Sequence, residues 1–230
     1  MRTSLFFGAL AALAVIGCGG SGGGSGAGNT GNTGGNGGNG GTGGGGTITF
    51  SDGSFTQGWQ EVAAITDKFA TGAATTVGSG GNPGSFFQIT LNQTGDRALF
   101  LIDRPDFLYQ PATQGAIEQI EFGDSIIDLS NSSTGQTAGL LLVQSGRYYT
   151  AGQVVINAGN WVNNDAYTDL QPGSFEEIDS DTTYNLNSHP DFSATAAPIT
   201  FGLCFAALAA QPKTETGNDN YFVQIVSAKK

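Results

Sequence analysis

The sequence predicts an all-β domain, an antiparallel two-sheet sandwich of jelly-roll type, and three observations carry that prediction. Short β-branched or aromatic runs recur along residues 47–230, bounded by Gly, Pro, Asn and Asp. Helical periodicity is weak. Only "QEVAAITDKFA" offers a helix, and it reads equally as a strand with its loop. Eight or more strands in one stretch of this length need two packed sheets, because a single sheet would leave one apolar face in water.

Taken in order, the strands are "TITF", "FFQITLN", "ALFLID", "IEQIEF", "GLLLVQ", "RYYTAGQVVIN", "ITFGLCFAA" and "NYFVQIVS". Ser145-Gly146 interrupts "LLLVQSGRYYT" as a hairpin turn should. No second linker divides residues 47–230, so they form one domain with one core.

The N-terminus belongs to a different regime. Arg2 precedes an apolar stretch from Leu5 to Gly17, too short for a bilayer span and of the right length for a secretory signal. Val15-Ile16-Gly17-Cys18 resembles the lipobox of bacterial lipoproteins. That resemblance implies a signal peptide over residues 1–17, cleavage before Cys18, and diacylglycerol and acyl chains on Cys18. Several chains together give stable anchoring where one holds only marginally. Gly19 stands where an aspartate would mark inner-membrane retention, so the resemblance implies the outer membrane of a Gram-negative envelope. The partner implied is the membrane itself, through the lipid.

Residues 18–46 are the tether. Gly19 to Gly46 holds only Gly, Ser, Asn, Thr and one Ala. No side chain there can offset its ordering entropy by burial, so the segment is expected to be disordered. Its root-mean-square span is roughly 30 Å for a Gly-rich chain of this length.

Charge narrows the partners. Eight Lys and Arg face nineteen Asp and Glu, a formal net charge of −11. Removing the leader takes Arg2 and no acid. Nucleic acid and anionic headgroups are poor partners for such a chain. After acylation of Cys18 the second cysteine, Cys204, has no disulfide partner, and "ITFGLCFAA" makes it a buried, inert thiol. His189 lies in the Pro-flanked turn "SHPDFS", and Cys–His catalysis is not expected.

"FSDGSFTQGW", "GGNPGSFFQITL" and "GNDNYFVQIV" follow one another in an order that resembles the laminin IV-type and related carbohydrate-binding jelly rolls of secreted bacterial proteins. Ser85 and Asn218 depart from the usual occupants. The resemblance implies a non-catalytic glycan-binding module. It also implies one structural calcium ion joining the first and last strands, with Asp52 and Asp219 among its ligands. Calcium needs six to eight oxygens. Without an ion, Asp52-Gly53 is a turn and Asp219-Asn220 a strand entry.

A sugar needs aromatic faces for its C–H groups and amides or carboxylates for its hydroxyls. "INAGNWVNNDAYTDL" supplies Trp161 and Tyr167 among Asn163 and Asp165, and "GRYYTAG" adds Tyr148, with Tyr148 and Tyr149 on opposite faces of one strand. These five residues, Trp161, Tyr167, Tyr148, Asn163 and Asp165, are the candidate glycan contacts. Trp161 plugging the end of the sandwich is the alternative, and Trp59 in "QGWQ" is expected in the core. "EEIDSD" puts Glu177, Asp179 and Asp181 on one face if it is a strand, resembling the E-x-D-x-E strand of laminarinase-type glucanases. Asp181 is one methylene too short for the proton donor, so no catalytic residue is assigned. The readings left open are a glycan-binding envelope lipoprotein, an adhesive lipoprotein with a protein partner, and an anchored glycoside hydrolase using Glu177.

Overall fold

The computed structural model describes residues 46–55, 58–66, 71–92, 98–130, 136–156, 159–179, 183–207 and 213–228, with the side chains of 64–66, 152–156 and 164–166 left aside. The leader, Cys18 and the tether to residue 45 lie outside the described residues.

Among the described residues, thirteen strands build the antiparallel two-sheet jelly-roll sandwich. They are β1 (Thr47–Asp52), β2 (Gln60–Thr66), β3 (Thr71–Gly81), β4 (Gly84–Asn92), β5 (Ala98–Tyr109), β6 (Ile117–Asp128), β7 (Gln136–Gln144), β8 (Arg147–Ile156), β9 (Val162–Leu170), β10 (Glu176–Ile178), β11 (Tyr184–Asn185), β12 (Ile199–Ala207) and β13 (Lys213–Ser227). A helical turn at Pro111–Gln114 follows β5, and a 3-10 turn at Pro172–Ser174 follows β9. Sheet A has the order β3-β4-β13-β6-β9, with β1 also paired to β13. Sheet B has the order β11-β10-β8-β7-β12-β5-β2.

Every expected strand is present. The ambiguous "QEVAAITDKFA" resolves as β2, an edge strand held by β5 from Gln60↔Asp103 to Thr66↔Ala98. The strands that sequence patterning leaves out, β3 and β9 to β11, share a cause: they carry few large apolar residues. β3 reads "TGAATTVGSGG" and β9 "VNNDAYTDL", and both lie at the edges of sheet A. An edge strand is paired on one side only, so burial leaves a weak imprint on its composition.

The main core lies between the sheets. From sheet A come Phe87, Ile89, Leu91, Ile120, Phe122, Tyr221, Val223 and Ile225, and from sheet B Phe100, Ile102, Leu140, Leu142, Phe201, Leu203 and Phe205. Alternation then sends the neighbours outward. In sheet B these outward residues form a second buried cluster of Leu99, Leu101, Leu141, Ile178, Cys204 and Ala206. β5, β7 and β12 are therefore apolar on both faces, which explains their nearly unbroken hydrophobic runs.

Between β7 and β8 the turn falls at Ser145-Gly146, with φ of 53° and 75° and Gln144 opposite Arg147. Two positive φ angles in a two-residue loop give the type I′ twist that suits a hairpin. Gly72 matters for a different reason. A Cβ there would lie 2.1 Å from the Phe100 ring, so its absence lets β3 settle onto the opposite sheet.

Candidate functional site

A sandwich has two seams where sheet edges meet without hydrogen bonding. At the seam between β2 and β3 the gap stays open as a cleft of about 290 Å³. Its walls are the aromatic rings of Phe55, Trp59, Phe87 and Phe100 with Ile102 and Ala74, and its polar rim is Gln60, Glu61 and Thr76. The volume matches the lower end of small-ligand pockets. Phe55, Phe87 and Phe100 are buried, whereas Trp59 is half-buried and Gln60, Glu61 and Thr76 are exposed. Trp59 is thus part core, as its motif suggests, and part wall.

The aromatic wall is held by one carboxylate at the end of β1. Asp52 Oδ1 accepts from the Ser54 amide (2.9 Å), the Ser54 hydroxyl (3.1 Å) and the Phe55 amide (2.8 Å). Asp52 Oδ2 accepts from Trp59 Nε1 (2.9 Å) and from the Arg104 guanidinium (2.5 Å). Arg104 also pairs with Asp106 (2.9 Å) and lies 4.5 Å above the Phe107 ring. Phe55 stacks on Phe87 with centroids 5.2 Å apart and an interplanar angle of 7°, and Trp59 meets Tyr221 edge-on at 5.2 Å. The loop from β1 to β2 is therefore pinned from both sides. Preorganised rings lose little entropy when a ligand arrives.

Asp219, the other carboxylate expected at a calcium ion, stands in β13 opposite Ser125 and is fully buried. It accepts from the Asn82 amide (2.5 Å) and the Asn220 amide (2.7 Å). Burial chiefly pushes its carboxyl above the usual range, the Asn82 and Asn220 amides pull it down, and the nearby Asp52 charge pushes it up again. The donor set does not fit calcium. Arg104 occupies Asp52 as the cation would, backbone amides point at both oxygens of Asp219, and no three acidic, His or Cys side chains converge among the described residues. The arrangement is one of hydrogen-bonded carboxylates.

Of the five candidate glycan contacts, the four whose side chains are described, Trp161, Tyr167, Tyr148 and Asn163, do not assemble into one site. Trp161 and Asn163 share the outer face of sheet A. The Trp161 ring is half-buried, lies edge-on to Phe86 at 5.5 Å, and donates from Nε1 to the Gly80 carbonyl (3.0 Å). Gly217 lies beneath it, where a Cβ would approach the indole to 3.1 Å. Asn163 Oδ1 accepts from Asn82 Nδ2 (2.8 Å) and from the Ser125 hydroxyl (2.9 Å). The stretch expected as a binding loop is the edge strand β9, and Trp161 and Asn163 fasten the β3–β4 hairpin to it. Tyr167, also in β9, points the other way, stacked on Phe122 at 6.3 Å against the main core. Burial first, and the Asp124 charge second, raise its phenol. Tyr148 belongs to sheet B, packed on the outer cluster with its hydroxyl 3.3 Å from the Val62 carbonyl. Asp165 is in β9, and its side chain lies outside the described residues.

The acidic stretch is corrected too. β10 ends at Ile178, so Glu177 and Asp179 do not share a strand face, and Asp181 lies outside the described residues. Glu177 pairs with Tyr149 and Asn185 in the sheet and stands 3.5 Å from Arg147. Cys204 is buried in β12, where burial pushes its thiol up to about 12 against the weaker pull of the Thr150 hydroxyl. His189 holds the Phe175 carbonyl at 2.7 Å through Nδ1. None of these groups forms a nucleophile–base pair in the described structure.

The residue that sequence reading passes over is Glu61, with its neighbour Gln60. Their only signal is position directly after the "GW" of the opening motif.

No family model matches the chain, and no curated protein sequence matches it. Among solved structures it is similar to a family 11 carbohydrate-binding module from Clostridium thermocellum, solved in complex with a β-1,3-1,4-mixed-linked tetrasaccharide. The identity is 12%, with 79% of this chain and 97% of that one covered and a TM-score of 0.45. A family 22 xylan-binding domain from Paenibacillus barcinonensis gives 12% identity, 82% and 99% coverage and a TM-score of 0.43. An exo-β-agarase structure gives 11% identity over 77% of this chain but 25% of its own length, with a TM-score of 0.41.

Proposed function

We propose that this chain is a lipid-anchored envelope protein whose sandwich binds a polysaccharide without cleaving it, at the seam between β2 and β3. The observation that carries the reading is the cleft itself. A half-buried indole backed by three buried Phe rings offers a flat apolar wall, and Gln60, Glu61 and Thr76 stand at its rim as hydroxyl partners. That combination suits a pyranose, whose ring faces are C–H surfaces and whose edges are hydroxyls. The acidic chain favours a neutral or cationic glycan over an anionic one.

Anchoring rests on the lipobox resemblance at Cys18 and on the tether, which would let the domain sample roughly 30 Å of the outer-membrane surface. Cys18→Ser should release the protein from membranes and abolish labelling by radioactive palmitate. Retained label would remove the anchor from the reading.

For the glycan, affinity electrophoresis in gels containing neutral β-glucan, xylan or galactan should retard the domain. Gln60→Ala with Glu61→Ala should weaken retardation at least about fivefold, the loss of roughly one net hydrogen bond or more. In a Trp161→Phe background, indole fluorescence reports Trp59 alone and should shift on titration. Retardation that survives the double substitution would sink the seam as the site.

A further inference from the structure

The middle of the outer face of sheet B is buried, although it is the side of the sandwich that should meet water. Across that face run Glu176, Thr150, Leu141, Gly202, Asp103 and Gln60, one residue from each of β10, β8, β7, β12, β5 and β2, each opposite the next. In a flat sheet, β8 and β2 would lie about 19 Å apart, four steps of roughly 4.8 Å. A tyrosine cannot span that. Yet the Tyr148 hydroxyl, from β8, lies 3.3 Å from the Val62 carbonyl of β2. Sheet B therefore curls into a trough, and Tyr148 reaches across it. Beneath lie Leu99, Leu101, Leu141, Cys204 and Ala206, each buried.

One group in this trough is out of place. Asp103 is 5% exposed; its Oδ2 accepts from the Thr200 hydroxyl (3.0 Å), while Oδ1 is buried with no hydrogen-bond partner. An unmade bond at a buried acceptor costs about 1–3 kcal/mol, and more for a charged group. Burial raises the Asp103 carboxyl, against the pull of Thr200 and Gln60.

We propose that the trough of sheet B is a second binding site, closed by Tyr148, for a neutral apolar molecule carrying one N–H or O–H donor that Asp103 Oδ1 accepts. The floor selects an apolar body. Tyr148 itself sets the chemistry, since it is an apolar ring with a single donor. To admit the ligand the Tyr148 bond to Val62 must break and its ring swing out, after which the ligand covers the floor and supplies the donor that Oδ1 lacks. Gln60 borders both this trough and the seam, whereas Tyr148 and Asp103 line the trough and not the seam.

The probe is N-phenyl-1-naphthylamine, neutral and apolar with one N–H, whose fluorescence rises away from water. Tyr148→Phe keeps the ring and removes only the latch. It should tighten saturable probe binding about fivefold, the worth of one net hydrogen bond in a closed–open equilibrium. Asp103→Leu should weaken binding at least as much, and Asp103→Asn, which keeps an acceptor, should retain it. Cys204 in the floor gives a second readout, taken on the Cys18→Ser chain. A neutral maleimide should modify it faster in Tyr148→Phe than in the parent, and the probe should slow that reaction. No saturable binding in Tyr148→Phe, binding indifferent to Asp103→Leu, or Cys204 labelling unaffected by probe would each overturn the proposal.

Discussion

Trp59 and Trp161 stand on opposite faces of sheet A, and each is half-buried with its N–H bonded. Their surroundings differ. Trp59 donates to a carboxylate that also holds two backbone amides, a hydroxyl and a guanidinium, and its ring walls an open cleft. Trp161 donates to a single backbone carbonyl and lies against Gly217 and the edge of Phe86. Polar neighbours in sequence suggest a binding role for Trp161, yet its contacts make it a fastener. An indole is available to a ligand when something other than the ligand has fixed it beside empty space. Only Trp59 meets both conditions.

The sharpest way to break that contrast is to remove what fixes Trp59. Asp52→Ala removes the buried acceptor shared by the Ser54 and Phe55 amides, Trp59 Nε1 and Arg104, which keeps only Asp106, and should cost about 3–5 kcal/mol, read as a fall in the urea midpoint at constant slope. A loss no larger than that of an exposed ion pair would mean the loop is held by other contacts. Next comes Gly72→Ala, whose Cβ meets the Phe100 ring that lines the cleft. It should cost about 1–3 kcal/mol by overpacking and weaken glycan retardation as Phe100 moves. Trp161→Phe removes one hydrogen bond and should cost about 1 kcal/mol while leaving retardation unchanged. Weakened retardation there would return the site to Trp161.

The acids beside the two rings sharpen the comparison through pH. Asp219 lies under the hairpin that Trp161 fastens, and its folded carboxyl holds its proton to higher pH than the unfolded chain does. The stabilisation from that proton is complete below the ordinary value of 3.8 and is lost as pH rises through the folded value. Asp103, raised by burial in the same sense, adds to the decline. Urea midpoints measured from pH 3 upward should show the fall, and Asp219→Asn should reduce it. The smallest effect expected is none: chelator should leave Tm unchanged, because Arg104 already neutralises Asp52, and a fall in Tm would restore calcium.

Strands that bury a full face were legible in the sequence. β4, β5, β7, β12 and β13 carry runs of Phe, Ile, Leu and Val that admit little else. The Ser145-Gly146 turn and the inert Cys204 were legible for the same local reason, since turn angles and burial act on few residues at a time. β3 and β9 were not, because an edge strand is specified mainly by its one neighbour. The site was harder still. Asp52 was singled out as a calcium ligand, yet the partner that decides its chemistry, Arg104, comes from β5, fifty-two residues on.

What the sequence determined by itself is the class of the molecule: strands dense enough in β-branched and aromatic residues that two sheets must face each other. Tertiary structure alone decided which tryptophan meets open space, that Asp52 meets Arg104, and that sheet B curls until Tyr148 reaches Val62. Composition acts residue by residue, whereas an open seam or a closed trough depends on how distant edges approach. Distance between edges is set by the twist and curl of whole sheets.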